Sequence, residues 1–170
     1  IEYLLRYFPD LKWIHVIRNG LDMAYSDNQR QLFQWGRILG VNPPDSAEML
    51  PNASLKYWVK ANRRALDLGR ELPSHQFMSI NFDQLCSDPD GDIQRLLDFL
   101  QIDAGPEKFT CLCSLPRVPD SAGRYRRHDM RVFCEDDVRS GAGLRGGSVV
   151  GRHRVQACRS NRHIATRLSR

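Results

Sequence analysis

An arginine at the carboxyl end of an apolar strand, followed eight residues later by a serine, is a pair suited to holding an anion. Arg18 closes the run KWIHVI at residues 12–17, and Ser26 follows on the far side of Asn19-Gly20. The guanidinium offers a planar fork of donors that matches phosphate, and the serine hydroxyl adds a short rotatable donor. With a helix starting after Gly20, Ser26 falls about two turns inside it, and both groups converge on one anion near the helix N-terminus. Two plainer arrangements use the same residues: Arg18 paired with Asp22, and Ser26 bonded back to the Asp22 carbonyl. Spacing leaves all three open.

The strand that would position Arg18 lies between Pro9-Asp10 and Asn19-Gly20. Apolar on both faces, it reads as a central, buried, parallel strand, and ligands of open α/β sheets bind beyond the carboxyl ends of such strands. Residues 1–7 (IEYLLRY) read as the end of a helix that puts Leu4, Leu5 and Phe8 on one side and is stopped by Pro9. From Leu21 the period becomes helical, with Leu21, Ala24, Tyr25, Leu32 and Trp35 on one face and Asp22 in the first turn, where the macrodipole favours an acid. Residues 36–52 carry Gly40, Pro43, Pro44 and Pro51 and read as a surface loop over the site. Ser54 is the expected cap of a long helix in which Leu55, Trp58, Val59, Asn62, Leu66, Gly69 and Leu72 recur every three or four residues. A second strand is expected at 75–82 (HQFMSINF), then a turn at 86–91 and a helix carrying Ile93, Leu96, Leu97 and Leu100. Strands alternating with helices imply an α/β class with a parallel sheet.

Other reactive side chains read as structural. His15 lies inside the apolar strand, where a neutral, hydrogen-bonded imidazole fits better than a general base. His128 stands beside Arg126 and Arg127 and reads as surface. Trp58 and Asn62 share the packed face of the long helix, where a buried amide needs partners. The cysteines at 86, 111, 113, 134 and 158 form no C-x-x-C pair and no Cys/His spacing of zinc type. They read as reduced structural thiols, with no metal expected.

The net charge of +5 is not spread along the chain. All twenty acids precede Val138, against seventeen Lys and Arg, whereas residues 139–170 hold eight arginines and no acid. That tail contains Val149 and Val150 but no aromatic residue and no apolar period, so it reads as a disordered or weakly helical extension. Without aromatic side chains to stack bases, it argues poorly for nucleic-acid binding. A basic-tailed nucleic-acid binder, or a nucleotide-binding or interaction module without turnover, remains the alternative to an enzyme. No eighteen-residue apolar run exists to span a bilayer and no secretory pattern opens the chain, so the cytoplasm is the expected compartment.

Four segments in order carry a resemblance: FPDLKWIHVIRNGLDMAYSDNQRQLFQWG, YWVKANRRALDLG, FMSINFDQLCSDPDGDIQRLLDFLQI and SAGRYRRHDMRVF. Together they resemble sulfotransferases that use 3′-phosphoadenosine 5′-phosphosulfate (PAPS), the bacterial-type branch in particular, over residues 1–138. The resemblance implies a P-loop-type, three-layer parallel sheet with helices on both faces. It makes Arg18 and Ser26 ligands of the cofactor's 3′-phosphate and puts Phe82, followed by the acid Asp83, beside the adenine. It places Ser121, Gly123 and Arg124 in a late segment folded over the same phosphate. Many relatives use Arg-Lys-Gly in that segment, which this chain lacks, so Arg117, Arg124 and Arg126 are all available as the phosphate partner.

The acceptor implied is a small molecule, a glycan or a peptide. The family's phosphosulfate loop, a Gly-rich or Ser/Thr-rich turn with a Lys or Arg, has no match here. The first strand, that loop and the catalytic residues are expected upstream of Ile1. The sequence thus reads as an incomplete sulfotransferase-like domain at 1–138 followed by an Arg/Gly/Ser-rich tail at 139–170.

Overall fold

Two short strands anchor everything that bears on the site. β1 (Trp13–Ile17) and β2 (Phe77–Asn81) are composed of aromatic and branched residues that favour extended backbone. They pair in parallel, with Trp13 opposite Phe77 and Ile17 opposite Asn81. The computed structural model describes residues 2–144. Among these, β1 and β2 form a two-stranded sheet rather than the three-layer sheet expected. β1 is not buried on both faces: Val16 is 51% exposed, while Ile17 is buried.

Parallel strands need a crossover, and here it contains α2 (Gly20–Ala24), α3 (Arg30–Trp35) and the long α4 (Leu50–Arg70). α4 buries Leu55, Trp58 and Leu66 against Ile17, Leu21, Ala24 and Phe133 to form the main core. The helix expected to run from Leu21 to Trp35 is broken. Ser26, Asp27 and Asn28 favour backbone bonding of their own over helix, and the Gln29 amide donates to the carbonyls of Met23, Ala24 and Ser26 at the end of α2. Leu21 and Ala24 therefore belong to the main core, while Leu32 packs with Val41 and Ala53 in a second cluster and Trp35 is exposed.

The start of α4 also differs from expectation. Pro51 sits in its first turn, where a missing N–H costs nothing. The capping side chain is Ser46, which accepts from the Glu48 N–H to start a 3₁₀ turn at Ala47–Met49. Ser54 is buried within the helix, and its hydroxyl has no partner among the described residues. Residues 50–52 belong to α4, and residues 36–49 pack on it, with Lys60 donating to the carbonyls of Leu39 and Gly40, rather than lying over the strand ends.

α1 (Glu2–Tyr7) stops before Pro9 as expected, but Leu4 and Phe8 are exposed rather than on a packed face. After β2, α5 (Phe82–Ser87) begins at once, and Asp88 alone separates it from α6 (Pro89–Leu100), so the turn expected at 86–91 is mostly helix. Ile93 and Leu97 of α6 are buried. Lys12, just before β1, reaches the carbonyl of Phe99 near the end of α6. α7 (Pro106–Cys113) and two 3₁₀ turns at Arg124–Arg127 and Met130–Val132 lead to α8 (Glu135–Gly143). α8 packs on α4 and α2, so the boundary expected at Val138 falls inside a packed helix. The rest of the Arg-rich tail lies outside the described residues.

Candidate functional site

Each strand leaves the sheet through an asparagine. The Asn19 side chain accepts from the N–H groups of Leu21 and Asp22, and that of Asn81 from Asp83 and Gln84, so α2 and α5 both start at the carboxyl edge. Such caps occupy the donors that a helix leaves free at its start. Between them stands Arg18. Its Nη2 donates to the Ser121 hydroxyl at 3.1 Å, its guanidinium lies over the Phe82 ring at 5.4 Å, and its Nε is buried with no partner among the described residues.

The late segment is held against α2. Asp22, 5% exposed, accepts from the N–H of Gly123 at 2.8 Å and of Tyr125 at 3.3 Å. Gly123 has φ +73, the left-handed region that an L side chain rarely enters. Arg124 donates to the carbonyl of Tyr25 at 3.2 Å. Tyr25 in turn donates its hydroxyl to the Asp129 carbonyl and stacks on His128 at 4.1 Å, and burial followed by the Asp129 charge pushes its phenol up.

Two clefts flank Arg18. One, of about 360 Å³, opens beyond the strand ends and includes Asn19, Asn81, Asp83 and Ser87. The other, of about 370 Å³, lies beside β1 and includes His15, Gln31, Tyr57 and Asn62. In the second, His15 Nε2 and Asn62 Oδ1 are 3.0 Å apart while the Asn62 amide donates to the Trp58 carbonyl. Burial pushes the imidazole below its usual value, and the Asn62 bond opposes that only in part. Cys86 donates to the Arg117 carbonyl, and its thiol is pushed up first by burial and then by Asp83, against the pull of Arg18.

The structure brings Arg18, Phe82, Ser121, Gly123 and Arg124 into one neighbourhood, across about a hundred residues of chain. Phe82 supports Arg18 and is not among the residues lining either cleft. Ser26 is placed differently from expectation: it follows the end of α2 and accepts from the Asn28 N–H at 3.4 Å, and no hydrogen bond joins it to Arg18. Arg18 does not pair with Asp22, which serves the late segment instead. The bonds from Asp22 to Gly123 and Tyr125 had no local signal, being a hundred residues apart. The two asparagine caps had one, a short polar acceptor between a strand and a helix.

An anion suits the Arg18 guanidinium and the Ser121 hydroxyl. Known proteins resemble the chain in sequence. A family model described as "Sulfotransferase family" matches residues 1–106. The omega-hydroxy-beta-dihydromenaquinone-9 sulfotransferases Stf3 of Mycobacterium bovis and Mycobacterium tuberculosis are each 31% identical to the chain over 119 residues, 69% of this chain. The chain spans 28% of the length of those relatives. A solved sulfotransferase domain from the curacin biosynthetic pathway aligns with 19% identity and a TM-score of 0.42, covering 65% of this chain and 35% of that one. With more than half of its residues matched by the family model and the mycobacterial relatives above 30% identity, this chain belongs to the sulfotransferase family.

Proposed function

We propose that the chain carries the 3′-phosphate-binding part of a PAPS site, in a protein that transfers a sulfo group to a hydroxyl-bearing acceptor. The observation that carries this reading is the state of Arg18. A buried donor is costly without a partner, yet among the described residues the Nε of the half-buried Arg18 is inaccessible and unpaired while Nη2 is fixed by Ser121. An anionic oxygen would satisfy that orphaned donor. The fit is thus a matter of donor chemistry: Arg18 and Ser121 on one side, Arg124 and Ser26 near the end of α2, and the adenosine side against α5.

When bound, PAPS would supply the sulfo group: its sulfur would exchange the bond to the 5′-phosphate oxygen for one to the acceptor oxygen, the acceptor losing its proton and adenosine 3′,5′-bisphosphate leaving. What these residues contribute is tight, oriented binding of the nucleotide, which makes transfer effectively intramolecular. The mycobacterial relatives are named for a hydroxylated dihydromenaquinone, and an alcohol acceptor is what we propose here.

Calorimetric titration with adenosine 3′,5′-bisphosphate and with adenosine 5′-monophosphate tests the reading. Only the first presents a phosphate to Arg18, so it should bind more tightly. A charge-assisted hydrogen bond contributes about 1.5–3 kcal/mol, so Arg18→Ala should remove roughly ten-fold or more of that preference. Equal affinity for both nucleotides, or full preference in a folded Arg18→Ala chain, would remove the phosphate pocket from this protein.

A further inference from the structure

Asp22 is a deeply buried acid that feels the charge of Arg126 without pairing with it. Among the described residues none of the ion pairs includes it. Burying a carboxylate is costly unless hydrogen bonds replace the lost water, and the first turn of α2 does not supply them. The N–H groups of Leu21 and Asp22 itself are taken by Asn19. What Asp22 receives instead is one N–H on each oxygen, from Gly123 and Tyr125.

Those two donors flank Arg124, and two residues before Gly123 is Ser121. The backbone between them can make both bonds because Gly123 takes φ +73. Fixing it there leaves Ser121 facing Arg18 and Arg124 facing the Tyr25 carbonyl. Arg18 and Asp22 lie on either side of the same Asn19-Gly20 exit from β1. One short stretch of chain therefore carries both the guanidinium and the group that holds the segment over it.

We propose that Asp22 is the positioning residue of this site: its carboxylate locks the backbone of residues 123–125 so that Ser121 meets Arg18. Its effect on nucleotide rests on the reading of Arg18 as a phosphate ligand. The locking itself does not.

The test uses the full chain with Asp22→Asn and Asp22→Ala. Asparagine keeps the shape but turns one acceptor into a donor facing a donor, whereas alanine removes both acceptors. Amide hydrogen exchange at Gly123 and Tyr125 should rise about ten-fold or more in Asp22→Ala and less in Asp22→Asn, with Met78 and Ile80 of β2 unchanged. The preference for adenosine 3′,5′-bisphosphate over adenosine 5′-monophosphate should fall by roughly ten-fold, while affinity for the monophosphate holds.

Exchange that stays at the wild-type rate at both amides overturns the proposal, as does a rise shared equally with β2. Freed amides with an unchanged preference also overturn it, because the segment would then be locked for no purpose at the pocket. A wild-type chain with no preference sinks the phosphate reading instead. Asp22 is then judged on the two amides alone. Should Asp22→Ala fail to fold, the Asp22→Asn comparison carries the same outcomes.

Discussion

Arg18 distributes its contacts unevenly, and that asymmetry is what a substitution can read. One terminal nitrogen is fixed by Ser121, one face rests on Phe82, and Nε is left without a partner among the described residues. Arg18→Lys keeps the charge and loses the planar fork, and an ammonium cannot hold Ser121 and an anion with the same directionality. On the proposed reading that variant should lose about ten-fold of its preference for the bisphosphate, measured by titration beside the wild type. His15 yields a second expectation. Its pKa lies below the ordinary histidine value of 6.5 because burial disfavours the imidazolium. Below that value the unfolded chain takes up a proton that the folded chain resists, so folding stability falls as pH drops through 6.5 and is level above it. Denaturant midpoints compared between about pH 7.5 and about pH 5.5 should show that loss in the wild type and a smaller one in His15→Gln. Equal slopes would mean His15 does not carry the effect. The neutral, bonded state of His15 was legible in the sequence from an imidazole set in an apolar strand. The role of Asp22 was not, because a first-turn acid satisfies the helix dipole and the pattern stops there.

At the scale of elements, the crossover is held by a close approach rather than by propensity. A methyl group on Gly20 would lie 2.7 Å from the Trp58 ring, so α2 meets α4 only because residue 20 has no side chain. Gly20→Ala gains up to about 1 kcal/mol of helix propensity. Overpacking a rigid indole costs about 1–3 kcal/mol, so the net change should be destabilising, read as a lower urea midpoint with an unchanged slope. The strands and the long helix were legible from apolar runs and three-four spacing. The break between α2 and α3 was not, since Leu21, Ala24 and Leu32 keep helical spacing across a gap although they pack into different clusters. What breaks the helix is local polar bonding, by Ser26 and Asn28 to nearby N–H groups and by the Gln29 amide to the carbonyls of α2, and side-chain capping from within a periodic run leaves no mark on the period. The misplaced start of α4 has the same origin: Pro51 in a first turn was read as loop chemistry, and the serine three residues on was read as the cap.

For the whole molecule, a two-stranded parallel sheet is too small to support itself, and α4 serves as its spine. Leu55, Trp58 and Leu66 gather β1, α2 and the late segment into one core, in which Phe133, Val138 and Leu144 also pack. The described chain therefore closes on itself: the segment that reaches Arg18 is followed, after two 3₁₀ turns, by α8, which returns to α4. Composition could not show this, because residues 139–144 read as the start of a basic tail by charge while Leu144 belongs with the core by contact. A chain ending at Val138 loses the last turns of α8 and the partly buried Leu144, whereas a chain ending at Leu144 keeps both. Burying a leucine side chain contributes about 1.5–3 kcal/mol when complete and less when partial, and the fraying left at Val138 adds to the loss. The shorter chain should therefore be less stable by about 1–2 kcal/mol, with the larger difference in hydrogen exchange at α2 and α4, the elements against which α8 packs. Because Gly141 and Leu144 also line the cleft beyond the strand ends, the same truncation widens that cleft while Arg18 keeps Ser121. Identical midpoints for the two chains would show that α8 adds nothing beyond Val138 and that the fold ends where charge alone would have ended it.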